Sequence, residues 1–212
     1  MGNKEKILVE ARTQLNANGL AAVTARSICK ALGLSPGSFS YHFPDSSAIV
    51  ETLYQQMRAE ESTILAEFAQ LEPSILGYLN IHQALFEVQL TYRFFYANLS
   101  EILAKYPNIK SQFVQRIQTD RMMARQSIQH FMEIGVLRAY LTAAQIDRMV
   151  NVGQILHHFW SLDAQIMEEA ALPMSKRHYL NLCCGLLEPF LMPASLDAYR
   201  EFFDALDETK VL

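Results

Sequence analysis

Glycine and proline are scarce in this chain, with eight and seven among 212 residues. Both interrupt regular structure, so their scarcity leaves room for long helices. Cysteine is scarcer still, with only Cys29, Cys183 and Cys184. An odd number with one adjacent pair excludes a secreted disulfide framework and reads as cytoplasmic thiols. No run approaches the roughly 18 apolar residues of a membrane span. The start, Met1-Gly2-Asn3-Lys4-Glu5-Lys6, has no apolar signal region, and Lys6 breaks the myristoylation pattern. A soluble, cytoplasmic protein that does not enter membranes is expected.

Catalytic and metal-binding motifs are missing as well. There is no Gly-rich phosphate loop, no Gly-x-Ser-x-Gly and no obvious carboxylate pair. Neither Cys-x-x-Cys nor His-x-x-x-His occurs. His157 and His158 are adjacent, so on a helix they point about 100° apart and cannot chelate one ion. Cys183 and Cys184 share that problem. No enzymatic activity, no cofactor and no metal are expected.

A large charge of either sign is also lacking, since the formal net charge is −4. Its distribution is uneven. Residues 1–58 carry six Lys/Arg against four Asp/Glu, and the remaining 154 carry twelve against eighteen. DNA binding needs only a local basic face, because salt screens remote charge within about 8–10 Å. The split permits an N-terminal DNA-binding module and gives no sign of one further on.

What is present is helical pattern throughout. Half of the residues are hydrophobic and 19% are charged, a globular profile. Ile7, Leu8, Ala11 and Leu15 recur at helical spacing over 4–17. Asn18-Gly19 stops that helix, and Thr24 caps a second, 25–32. Gly33-Leu34-Ser35 forms a turn, and Ser35-Pro36 starts a third helix with Phe39 and Phe43 inward. Asp45 caps a fourth, from 46 to about 70. Further helices are expected from Pro73-Ser74 to about 90 and over 108–134, with the aromatic segment Thr91 to Tyr106 between them. Thr142 with Gln145 is a capping box for 143–169. A last long helix is expected over 175–191 despite Pro189, then a short tail over 195–206. The fold class is all-α. A three-helix helix-turn-helix domain, 1–48, precedes a larger helical bundle, 49–212.

Thr24 to Phe43 is the informative stretch. Two short helices joined by a Gly-containing turn make a helix-turn-helix. The second of them must be short, with small or polar groups outward, to enter a major groove about 12 Å wide. Pro36, Gly37, Ser38, Ser40, Tyr41 and His42 are the outward candidates. Tyr41 and His42 suit phosphate oxygens.

The series Ile7-Leu8, Ala11, Leu15, Gly19, Thr24, Ile28, Leu32-Gly33-Leu34-Ser35-Pro36-Gly37-Ser38-Phe39 and Tyr41-His42-Phe43 resembles the N-terminal domain of the TetR family of bacterial regulators. The resemblance covers about the first 55 residues. It implies a homodimeric regulator, usually a repressor, released from double-stranded DNA by a small ligand bound in the C-terminal domain. It also implies DNA contacts from Arg26 and the Ser35–His42 turn and helix. Two positions depart from the pattern: Ser40 replaces a frequent aromatic, and Ser46, followed by Ser47, replaces a usual phosphate-contacting Lys. That helix start could still hold a phosphate through its backbone N–H groups. Tyr92-Arg93-Phe94-Phe95-Tyr96, Asn98-Leu99 and Gly135-Val136-Leu137-Arg138 are similar to one C-terminal type seen behind such domains.

The region between 74 and 160 is rich in Phe, Tyr and Met and poor in charge, which suits a mostly apolar effector. Tyr92, Arg93, Tyr96, Met123, His130, His157 and Trp160 are its candidate contacts. Helices 143–169 and 175–191 are each apolar on two faces, so one face is expected to meet a partner subunit in a homodimer. An inverted-repeat operator follows from such symmetry.

Overall fold

The computed structural model describes residues 2–207, and most of them are helical. The N-terminal helices are α1 (Asn3–Asn18), α2 (Ala25–Leu32), α3 (Pro36–His42) and α4 (Ser46–Phe68). After them come α5 (Ile75–Thr91), α6 (Arg93–Ala97), α7 (Leu99–Lys105) and α8 (Pro107–Glu133). Then α9 (Ala143–Glu169), α10 (Lys176–Cys184) and α11 (Pro193–Asp204) follow among the described residues. The family of α-only folds expected from the pattern is the one observed.

The caps explain the boundaries. Thr24 Oγ1 accepts from Ser27 N at 3.1 Å and opens α2. Gly33 closes it with φ +64°, a left-handed conformation that costs other residues energy. Ser35 Oγ accepts from Ser38 N at 3.2 Å, and Pro36 follows at the first helical position, where no N–H is needed. Asp45 Oδ1 accepts from Ala48 N at 2.9 Å to open α4. Thr142 and Gln145 form the expected capping box, with Thr142 N donating to Gln145 Oε1 at 2.8 Å.

One expected helix is not continuous. Residues 175–191 split, with α10 ending at Cys184 and a single 3₁₀ turn over Glu188–Phe190. Pro189 lacks the N–H that a helix would use and its ring opposes a straight continuation. The chain then turns into other bonds: Arg138 N donates to Phe190 O at 2.8 Å and Met192 N to Val136 O at 3.0 Å. Leu137 and Leu191 form an isolated antiparallel bridge there. Both leucines are buried, so pairing and packing reinforce each other. The aromatic segment also breaks, into α6 and α7.

Packing divides the chain into two compact units. One contains residues up to Ser62 together with Val88–Gln112, and the other Thr63–Glu87 together with residues from Phe113 on. The division differs from a cut near residue 48, which falls inside α4. Ile49, Val50, Leu53, Tyr54 and Met57 are all buried along α4, so nothing separates its first turns from the next ones. Tyr54 also meets Phe95 of α6 at 5.2 Å between ring centroids.

Within the first unit, α3 packs on α1 and α2. Phe39 and Phe43 are its anchors, each 2% exposed. A seven-residue helix cannot hold itself in water, so these two rings must supply its stability. Asn16 of α1 binds both sides of the α5–α6 junction, from Nδ2 to Thr91 O at 2.9 Å and to its Oδ1 from Phe94 N at 3.0 Å. Glu61, buried, is ion-paired with Arg58 and accepts from Tyr96 Oη at 3.2 Å. A buried carboxylate needs such partners. In the second unit, Ile75, Leu79, Phe131, Ile146, Leu180 and Leu187 belong to one apolar core.

Phe39→Ala removes the inner anchor of α3 and leaves a cavity. The expected cost is about 3–5 kcal/mol of folding stability. Denaturant unfolding followed by circular dichroism measures it, and an unchanged midpoint contradicts this account of the anchor.

Candidate nucleic-acid interface and sensing residues

A helix fastened by one face presents the other. In α3, Pro36, Gly37, Ser40 and Tyr41 are exposed, with Ser38 and His42 half-buried. Ser35 and Arg26 are exposed next to them in sequence or on the neighbouring helix α2. Tyr41 is 85% exposed, an extreme value for so large a ring. Its only ring neighbour of note is His42, edge-on at 5.0 Å between centroids. Folding therefore gains almost nothing from Tyr41, which leaves its ring and hydroxyl to an external partner.

Gly37 is equally informative. A Cβ there would meet nothing nearer than Ser35 Oγ at 4.0 Å, in ordinary contact. The interior does not require glycine at this position. The missing side chain keeps the outer face of α3 low, so a surface can approach its backbone closely.

Ser46 and Ser47 are half-buried at the start of α4. The Asp45 carboxylate takes the Ala48 N–H at 2.9 Å. A phosphate at that helix end competes with Asp45 for one N–H group and meets a like charge. The ten residues expected to meet DNA thus lie on α2, α3 and the α3–α4 junction, all within the first unit.

The seven expected effector contacts do not form one group. Tyr92, Arg93 and Tyr96 belong to the first unit, where they hold α6 to its neighbours. Tyr92 Oη donates to Glu60 Oε1 at 2.5 Å, and the Arg12 guanidinium lies 5.0 Å from the Tyr92 ring centre. Burial, then the Glu60 carboxylate, pushes the Tyr92 phenol up to about 12. Arg93 Nε donates to Asn16 O at 3.3 Å. Met123 and His130 are exposed on α8, and His130 faces Glu133 at 3.4 Å.

His157 and Trp160 do come together, one turn apart on α9 in the second unit. Trp160 is buried and stacks on Phe86 of α5, 4.0 Å between centroids at 23°. His157 is half-buried and held neutral. Burial lowers it to about 3, assisted by His158, His82 and Arg116. His82 and Ser161 adjoin this pair and were not singled out in the sequence. One is a lone histidine and the other a serine inside a helix, and neither pattern is distinctive. A polar groove of about 510 Å³ between α4 and α8, lined among others by Glu51, Gln55, Asn108 and Gln112, was also not foreseen. Its residues lie on helices far apart in sequence, with Gln55 Nε2 donating to Gln112 Oε1 at 3.0 Å. Among the described residues no three His, Cys, Asp or Glu side chains group as metal ligands, and no helix is long and apolar enough to cross a membrane.

The arrangement matches known proteins at both levels. Residues 7–53 match the model of bacterial regulatory proteins of the tetR family, and residues 51–199 match the TetR model described as bacterial transcriptional repressor. No curated protein matches the chain in sequence. Among solved structures, a TetR-family transcriptional regulator from Marinobacter aquaeolei VT8 superposes with a TM-score of 0.80 at 19% identity, over 96% of this chain and 99% of that one. SmeT, in a complex with triclosan, gives 0.62 at 14% identity, over 91% and 93%. The fatty acid degradation regulator FadR from Bacillus halodurans gives 0.60 at 10% identity, over 99% of both chains. At these identities the structures speak for the fold, and the two family models, which together span residues 7–199, place this chain in the TetR family of transcriptional regulators.

Proposed function

We propose that the chain is a homodimeric repressor that reads an inverted-repeat operator and is released by a small, mostly apolar effector. Residues 1–48 are the DNA-reading part and 49–212 the dimerising and sensing part. It acts in the bacterial cytoplasm, where its DNA is, and catalyses no reaction. The observation that supports the reading most is the outer face of α3, where Tyr41 is almost wholly exposed on a helix anchored from behind by Phe39 and Phe43.

Roles within the face follow from chemistry. Arg26, Gly37, Ser38 and Ser40 read base edges, and Ser35, Pro36, Tyr41, His42 and the Ser46-Ser47 helix start position the backbone. A regulator of DNA must have a second state, and a ligand that prefers that state supplies it. The structure of SmeT in a complex with triclosan is that of a relative in fold holding a small molecule. In this chain the effector is assigned to the second unit, around His157 and Trp160.

Dimerisation is supported by a stripe along α9. Val152, Ile155, Phe159, Leu162 and Ile166 recur at helical spacing and are all exposed, with Ile155 at 58% and Phe159 at 50%. Leu182 of α10 is exposed too. The opposite face of α9, with Ile146, Val150 and Trp160, is already buried. An apolar stripe of this length in water is costly unless covered. A second copy of the same two helices covers it with four helices in all.

A second reading is a helical binding protein with weak DNA affinity. Ser46 beside the Asp45 cap favours it, since the phosphate contact there lacks a cation.

Four outcomes are expected. Arg26→Ala weakens specific binding by about 1–3 kcal/mol and relaxes preference at one position per half-site, whereas Tyr41→Phe weakens all sequences by a similar factor. Ser46→Lys tightens binding and steepens its salt dependence by about one counterion per site. Titrations against salt on matched and scrambled duplexes measure these, and an unaltered preference in Arg26→Ala sinks the division of roles. Binding that stays weak and indifferent to sequence in the wild type favours the second reading. Finally, Phe159→Asp places a charge in the dimer seam and yields a monomer by sedimentation, while a wild type that sediments at 24.1 kDa contradicts the dimer.

A further inference from the structure

Ser161 is the one side-chain oxygen among the described residues that is buried without a hydrogen-bond partner. It is 1% exposed, on α9. A serine inside a helix ordinarily bonds the carbonyl four residues before it, here that of His157, but this hydroxyl does not. Buried hydroxyls left unpaired are rare and costly, so the group calls for an explanation.

Its surroundings supply one. Ser161 lies one turn beyond His157 on the same face of α9 and next to Trp160. Phe86 of α5 stacks on Trp160, and His82 lies one turn before Phe86. His82 Nδ1 is 2.8 Å from Tyr78 O. A carbonyl only accepts, so Nδ1 carries the proton and Nε2 of the neutral ring can only accept. From α8, Phe113 meets the His158 ring at 5.3 Å between centroids.

Charge in this region is already balanced or suppressed. Arg116 of α8 is ion-paired with Asp120. His82, His157 and His158 are all lowered, with burial the largest cause for each, and Asp120 is raised by burial. On the far side of Trp160, Tyr179 of α10 donates to Asp163 at 2.8 Å. An anion or a cation entering here would be buried without a counter-charge. An uncharged molecule meets no such penalty. Flat rings on α5, α8 and α9 favour an aromatic body.

We propose that the region where α5, α8 and α9 meet, around Ser161, binds an uncharged aromatic hydroxyl compound, a phenol. Its O–H donates to an imidazole nitrogen of the His82–His157 pair, and its oxygen accepts from Ser161 Oγ. This rests on the reading of His157 and Trp160 as effector contacts and gives that effector a chemical class.

Trp160 is the only tryptophan in the chain, so its fluorescence reports on this site directly. The test titrates the full-length protein with para-ethylphenol, para-ethylanisole and para-ethylbenzoate, by Trp160 fluorescence and calorimetry. The phenol is expected to bind at least about tenfold tighter than the anisole, which keeps the shape and loses the O–H. Its affinity stays level from about pH 7.5 to 8.5, because burial lowers the imidazoles and the phenol ionises only near 10. Ser161→Ala weakens the phenol by about tenfold and does not lower the melting temperature, since it removes only an unpaired hydroxyl. Equal affinity for phenol and anisole overturns the proposal. So does a fall in melting temperature for Ser161→Ala, or a benzoate that binds best and tightens as pH falls, which marks a site for acids. None of these readouts uses DNA. If the phenol fails while the protein still binds an operator, only this inference falls; if the phenol binds and no operator is found, the repressor reading falls.

Discussion

The whole functional surface depends on two phenylalanine rings. A helix of seven residues loses more in chain entropy than its few internal hydrogen bonds return. α3 exists because Phe39 and Phe43 are buried against α1 and α2. Gly33 and the Ser35-Pro36 start fix where the chain turns toward them, and the exposed side chains of α3 are released from packing duty. That release is what makes Gly37, Ser40 and Tyr41 interpretable: their identities are not accounted for by packing.

The same division between occupied and unoccupied faces organises the rest of the chain. On α6, Tyr92 and Tyr96 spend their hydroxyls on Glu60 and Glu61, and Asn16 binds the backbone on either side of Tyr92. These bonds fasten α6 to its neighbours. On α9 the buried face holds Trp160, and the other face leaves Phe159 and Ile155 in water. A helix with both faces apolar and one uncovered is incomplete alone.

Much of this was legible in the sequence. Caps such as Thr24, Ser35 and Thr142 act within four residues, so local pattern was enough to place α2, α3 and α9. Phe39 and Phe43, four apart, showed the inner face of α3. The rest required distant residues to meet. Pro189 was visible, but the bonds from Arg138 and Met192 that redirect the chain around it join segments about fifty residues apart in sequence, so the break after Cys184 was not. Residue type alone suggests the seven effector candidates, and tertiary packing divides them between two units. Ser161 and His82 became notable only through what surrounds them, and no spacing rule finds an unpaired hydroxyl.

The central claim is that the exposed face of α3, presented twice by a symmetric dimer, recognises DNA sequence. Selection of bound sites by the full-length chain from a random duplex library tests it most directly. The account predicts enrichment of an inverted repeat whose half-sites lie about one helical turn apart or a multiple of it. Enrichment of a single unrepeated site, or none above the non-specific background, would contradict it.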